Sequence, residues 1–92
     1  MRILLLEDNL ALAGAVSDYL ELRGCTVDLA FDGQACLDLV NVARFDAYVL
    51  DVAVPGIDGL DVCEHLRTQM RDDTPVIFLT ARDTLQDKVI GL

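Results

Sequence analysis

Hydrophobic positions along this chain follow two alternating patterns. Short runs read as strands at Arg2–Leu6, Thr26–Ala30, Ala47–Leu50 and Val76–Leu79. The first and the last two are continuously apolar, as in strands buried on both faces of a parallel sheet. The segments between them place apolar residues at helical spacing instead. Leu12, Val16, Tyr19 and Leu20 mark a first helix, with Gly24 as its stop after Arg23. Asp32-Gly33 forms a turn, followed by a short second helix carrying Ala35, Leu37, Leu39 and Val40. Leu60, Cys63, Leu66 and Met70 line a third, which Asp58 can cap. Thr84 and Asp87 have capping-box spacing, so a fourth helix is expected with Leu85, Val89 and Leu92 as its stripe. Asp72, Asp73 and Thr74 before Pro75 read as a solvated loop.

Repeated strand–helix units with right-handed crossovers predict an α/β fold, a parallel sheet covered on both faces. The chain has 92 residues, enough for a single domain. No apolar run approaches the ~20 residues needed to span a bilayer. Ile3–Leu6 also runs straight into Glu7 and Asp8, unlike a secretory leader, so a cytoplasmic location with no membrane contact is expected.

Charge narrows the choice of partners. Seven basic residues against 16 acidic ones give a net charge of −9. Direct nucleic-acid contact by this chain is disfavoured, since Lys and Arg must neutralise phosphates. The three cysteines, Cys25, Cys36 and Cys63, lack CxxC spacing and fit free thiols better than a disulfide or zinc framework. His65 has polar neighbours on the third helix and reads as a surface residue, and Tyr48 as core.

In open α/β sheets, function gathers beyond the carboxyl ends of the strands, where strand order reverses. The first strand delivers Glu7 and Asp8 there, the third Asp51 and the fourth Thr80. Converging carboxylates repel, and a divalent cation relieves that cost. All-oxygen ligands favour Mg²⁺, Mn²⁺ or Ca²⁺, of which Mg²⁺ keeps waters and accepts phosphate oxygens. A competing reading has Glu7, Asp8 and Asn9 only capping the first helix and favouring its positive end. Asp51 immediately after a buried strand weighs against it. A dinucleotide site fits poorly, because no GxGxxG or P-loop follows the first strand.

Five elements in order carry a resemblance: Ile3-Leu4-Leu5-Leu6-Glu7-Asp8, Asp32-Gly33, Leu50-Asp51, Pro55-Gly56-Ile57-Asp58-Gly59 and Thr74-Pro75-Val76-Ile77-Phe78-Leu79-Thr80-Ala81-Arg82. Along its whole length the chain resembles the receiver domain of bacterial two-component response regulators. The Arg82-Asp83-Thr84 continuation looks most like the OmpR-type transcription factors. The resemblance implies a flavodoxin-like, doubly wound parallel sheet with strand order 2-1-3-4. It makes Asp51 the phosphoacceptor for a sensor histidine kinase. It gives Glu7, Asp8, Asp51 and the Ala53 backbone carbonyl to Mg²⁺, with Mn²⁺ as a substitute. Thr80 would contact the phosphoryl group and act as a switch, and the Ala81 N–H would bind another phosphoryl oxygen. A carboxylate suits that role, being ionised at neutral pH without a partner base.

The resemblance also implies parts that residues 1–92 do not contain: a fifth strand and helix, a Lys-Pro motif whose Lys contacts the phosphoryl group, the aromatic partner of Thr80, and a DNA-binding output domain. Lys88 falls within the expected fourth helix and does not match that Lys. Residues 1–92 are accordingly expected to form a receiver domain incomplete at its C-terminal end, with DNA reached only through the output domain. The fourth strand would then be an open apolar edge that recruits a second copy, as a homodimer or strand-exchanged oligomer. Ala53 departs from the family's bulkier residue, but only its carbonyl is needed.

Two other functions compete. A haloacid-dehalogenase-like phosphatase also uses an Asp nucleophile after a strand, but its DxD pattern would need an acid where Ala53 stands. An interaction module could keep the fold without signalling, a reading opposed by the intact Glu7, Asp8, Asp51 and Thr80.

Overall fold

The computed structural model describes residues 1–79 and the backbone of 89–91. Five strands, β1 (Arg2–Leu6), β2 (Thr26–Ala30), β3 (Ala47–Asp51), β4 (Val76–Leu79) and β5 (Val89–Gly91), form one sheet in the order β2-β1-β3-β4-β5. The first four are parallel, in the expected 2-1-3-4 order of a flavodoxin-like sheet. Helices α1 (Leu10–Leu22), α2 (Gly33–Val42) and α3 (Gly59–Glu64) connect them, and a π-helical turn over His65–Gln69 continues α3.

The sheet's two faces follow the period of two along each strand. Leu4, Leu6, Tyr48, Leu50, Val76 and Phe78 point into the larger core, with Cys36 and Val40 of α2 and Val62 of α3. Ile3, Leu5 and Val49 point the other way, toward Val16 and Leu20 of α1. Continuous apolar runs were needed because both faces are covered.

Each helix begins on a side-chain cap that satisfies an otherwise orphaned backbone N–H. Asn9 accepts from the Leu12 N–H at 3.0 Å and Asp32 from the Ala35 N–H at 2.8 Å. Asp58 and Asp61 form a reciprocal capping box at 3.0 Å in each direction. At the end of α1, Gly24 adopts φ +89°. Its N–H donates to the Glu21 carbonyl and the Cys25 N–H to that of Leu20, a Schellman closure.

Several expectations change. Val89–Gly91 is a strand antiparallel to β4, not part of a fourth helix, while 84–88 lie outside the described residues. Val89 and Ile90 are β-branched, and β4 offers them an edge of unmet backbone groups. That edge is therefore paired within the chain and is not the open template expected to drive homodimer formation or strand exchange. In α1, Ala13 and Ser17 are buried while Tyr19 is exposed beneath the Arg23 guanidinium, 4.4 Å from its ring centroid. The third helix faces inward through Val62 and Leu66, leaving Leu60 and Met70 exposed. His65 is half-buried, its Nε2 enclosed without a hydrogen-bond partner among the described residues.

The loop before β4 is braced. Tyr48 is buried and its hydroxyl donates to Asp72 Oδ2 at 3.0 Å. Arg67 Nη1 donates to the carbonyls of Asp72 and Thr74, both at 2.8 Å. Burial pushes the Asp72 carboxyl up, but hydrogen bonds from Thr74 and Tyr48 and the nearby Arg67 outweigh it and hold it below its ordinary value.

Candidate metal and phosphoryl site

The chain leaves β1 toward β2 on one side and returns to β3 on the other, so strand order reverses between β1 and β3. Leu6 pairs in register with Leu50 across that boundary. The next residue on each strand, Glu7 and Asp51, therefore arrives at the same level at the carboxyl end. Both are buried at 0% exposure, while Asp8 is exposed at the rim. One carboxylate oxygen from each of Glu7, Asp8 and Asp51 lies within 4.8 Å of the others.

Half of each buried carboxylate is already held. The Asn9 N–H donates to Glu7 Oε2 at 3.0 Å, and the Ala53 N–H donates to Asp51 Oδ1 at 2.8 Å. The other half is not: Glu7 Oε1 and Asp51 Oδ2 are buried without a partner among the described residues. A carboxylate stripped of water and left unpaired is costly, so such atoms call for a cation or a proton. Burial, with the neighbouring Asp51 adding to it, pushes the Glu7 carboxyl up to about 7. The donor set is all oxygen, which suits a hard divalent cation.

Glycines bring the flanking backbone into place. A Cβ on Gly59 would stand 2.6 Å from the Asp51 carbonyl oxygen, so only glycine lets α3 start against the end of β3. Gly56, at φ +75°, makes the bend between them.

Of the residues singled out in the sequence, Glu7, Asp8 and Asp51 are brought together and Ala53 sits beside them. Thr80, Ala81 and Lys88 lie outside the described residues. Asn9 caps α1, as the competing sequence reading allows, and its N–H also orients Glu7, which local pattern does not reveal. Asp72 closes a turn inside the expected loop, its Oδ1 accepting from the Thr74 N–H, legible in the Asp-x-Thr spacing.

Comparison with known proteins shows the family and the fold. A family model described as "response regulator receiver domain" matches residues 3–92. The response regulator MprA of Mycobacterium avium is 45% identical over 92 residues, all of this chain and 40% of its own length. MprA of Mycolicibacterium vanbaalenii is also 45% identical, with 39% of its length covered. The chain thus spans about 40% of the relatives it matches. Among solved structures, the receiver domain of the Francisella response regulator 1452 superposes with a TM-score of 0.81 at 32% identity, covering 92% of this chain and 69% of that one. Thermotoga maritima TrrA, solved in complex with Mg²⁺–BeF, gives 0.82 at 30% identity, over 89% and 70%. Among the described residues, no helix is long and apolar enough to cross a membrane.

Proposed function

The chain belongs to the response regulator receiver domain family, a phosphoacceptor of two-component signalling rather than a conventional enzyme, and from that premise we propose Asp51 as its phosphorylation site. The carrying observation is that Glu7 and Asp51, clustered with Asp8, each keep one buried oxygen, Glu7 Oε1 and Asp51 Oδ2, without a partner among the described residues.

Glu7, Asp8, Asp51 and the Ala53 carbonyl would hold Mg²⁺, for which Mn²⁺ can substitute. The bound cation supplies neutralisation of charge on the phosphoryl group during transfer. The chain's own contribution is positioning. The Ala53 N–H fixes Asp51 Oδ1 and leaves Oδ2 as the buried oxygen still without a partner among the described residues. An Asp51 carboxylate oxygen attacks the phosphorus of a kinase phosphohistidine. The P–N bond breaks, its electron pair stays on the imidazole nitrogen, and an acyl phosphate forms. The Thr80 hydroxyl and the Ala81 N–H then contact the phosphoryl oxygens, with Thr80 as the switch.

The donor is a sensor histidine kinase, and the output an OmpR-like transcriptional response in the cytoplasm, supported by the similarity to MprA. With a net charge of −9, this receiver domain leaves DNA contact to an output domain outside residues 1–92. Incubating the chain with Mg²⁺ and acetyl phosphate should label Asp51, and Asp51→Asn should remove the label. Label retained in that variant would refute the assignment, and steady turnover of a phosphate ester would favour a phosphatase instead.

A further inference from the structure

Gly33 is buried at the first position of α2, an element that supplies none of the clustered carboxylates. Its backbone is not in the left-handed region, which is confined to Gly24 and Gly56 among the described glycines. Conformational freedom therefore does not explain a glycine here. Space does. A Cβ on Gly33 would stand 2.5 Å from the Ile57 Cβ and 2.7 Å from its carbonyl carbon, and closer still to its carbonyl oxygen. These are main-chain and near-main-chain atoms, which cannot swing aside as the tip of a long side chain can.

Ile57 sits in the segment that leaves Asp51 and returns at α3. That segment is pinned at Gly59, whose missing Cβ admits the Asp51 carbonyl, and at Ile57 by Gly33. Ala53, whose N–H holds Asp51 Oδ1, lies in the same loop, upstream of Ile57. The Asp58 capping box follows directly on Ile57, so a displaced Ile57 transmits to the start of α3 as well.

We propose that Gly33 is a positioning residue for the cation site: its lack of a side chain lets α2 close onto Ile57, and that contact sets where the Asp51–Ala53 backbone stands. This rests on the Mg²⁺ reading of the cluster and adds to it a control point on a different element. Widening the contact moves the Ala53 carbonyl and loosens its N–H from Asp51, weakening Mg²⁺ binding without removing a ligand.

The test is Mg²⁺ titration by calorimetry on the 92-residue chain, with folding checked by circular dichroism. Gly33→Ala should bind Mg²⁺ roughly tenfold more weakly, the scale of losses from outer-shell changes at metal sites. Its labelling by acetyl phosphate should recover at saturating Mg²⁺, and the variant must be fully folded by circular dichroism before Mg²⁺ is added, so that the weaker binding does not report a folding equilibrium. Ile57→Gly removes the side-chain part of the contact, its Cβ, while leaving the carbonyl in place, introduces no steric conflict and should shift affinity the same way, so it decides the matter if Gly33→Ala does not fold. Gly14→Ala, with open space around the new methyl, should bind as the parent does. A folded Gly33→Ala within about twofold of the parent overturns the proposal, as does parental affinity in Ile57→Gly. Asp8→Asn separates the layers. If it leaves Mg²⁺ affinity unchanged, the cation site itself is wrong and the proposal falls with it; if it abolishes binding while Gly33→Ala does not weaken it, only the positioning role fails.

Discussion

Glu7 and Asp51 stand side by side at the ends of β1 and β3, both fully buried, each with one carboxylate oxygen held by a backbone N–H and the other unmet among the described residues. The chain keeps this costly pairing where strand order reverses between β1 and β3. Stability given up there is recovered when a cation arrives, so the site senses its ligands through the free energy of folding.

Asp51→Asn removes one of the two buried like charges and keeps the shape. In the absence of metal it should raise stability by on the order of 1 kcal/mol, the scale of one pKa unit. The same change should shrink the stabilisation that Mg²⁺ gives the parent and abolish labelling by acetyl phosphate. Parallel urea titrations with and without Mg²⁺ measure both effects. A variant less stable than the parent without metal would show that the two carboxylates do not repel.

The pH dependence follows from Glu7, whose carboxyl is pushed up to about 7 by burial from an ordinary 4.5. Between those values the folded chain still holds the proton and the unfolded chain has lost it. Stability contributed by this group is therefore fully present below about 4.5, declines as pH rises toward 7, and is gone above it. Mg²⁺ competes with that proton, so its stabilising effect should be larger at pH 8 than at pH 5.5. Thermal unfolding at both pH values, with and without the ion, checks the sign.

Much of this was legible in the chain. Parallel strands covered on both faces must be apolar throughout, so Ile3–Leu6, Ala47–Leu50 and Val76–Leu79 announced themselves, and acids directly after two of them marked the site. Asp58 as a cap and Gly24 as a stop were local chemistry, readable without neighbours. Which helix residues turn inward was harder, because α1 buries Ala13 and Ser17 beside a sheet that leaves little room. Val89–Gly91 could not be read as a strand, since periodicity says nothing of the β4 edge waiting beside it. The reason for Gly33 was hidden likewise: it lies in the backbone of Ile57, a contact with no trace in local pattern.

Gly14 lies inside α1 with nothing within 4 Å of the Cβ it lacks. Alanine there should stabilise the chain by about 0.4–1 kcal/mol, by restricting the unfolded state and favouring the helix. A higher urea midpoint with an unchanged slope would bear this out, whereas a loss would mean that the face around Gly14 is already filled.

Tyr48 and Asp72 offer the corresponding test at the far end of the sheet. Tyr48→Phe keeps the ring that packs at 5.8 Å from Phe45 and removes only the hydroxyl bonded to Asp72. Asp72 retains its bonds from Thr74, so no charge is stranded and the cost should be about 0.5–1.5 kcal/mol. Asp72→Ala releases more: the Tyr48 hydroxyl is left buried and unpaired, and the turn that Thr74 closes is lost. That variant should cost more than Tyr48→Phe, and the double variant less than the sum of the two, because both delete the same bond. Since Tyr48 pairs with Val76 at the start of β4, the loss should appear first as faster amide exchange in that strand, with Mg²⁺ affinity unchanged. Strict additivity of the two changes would show that the hydroxyl and the carboxylate contribute nothing through each other.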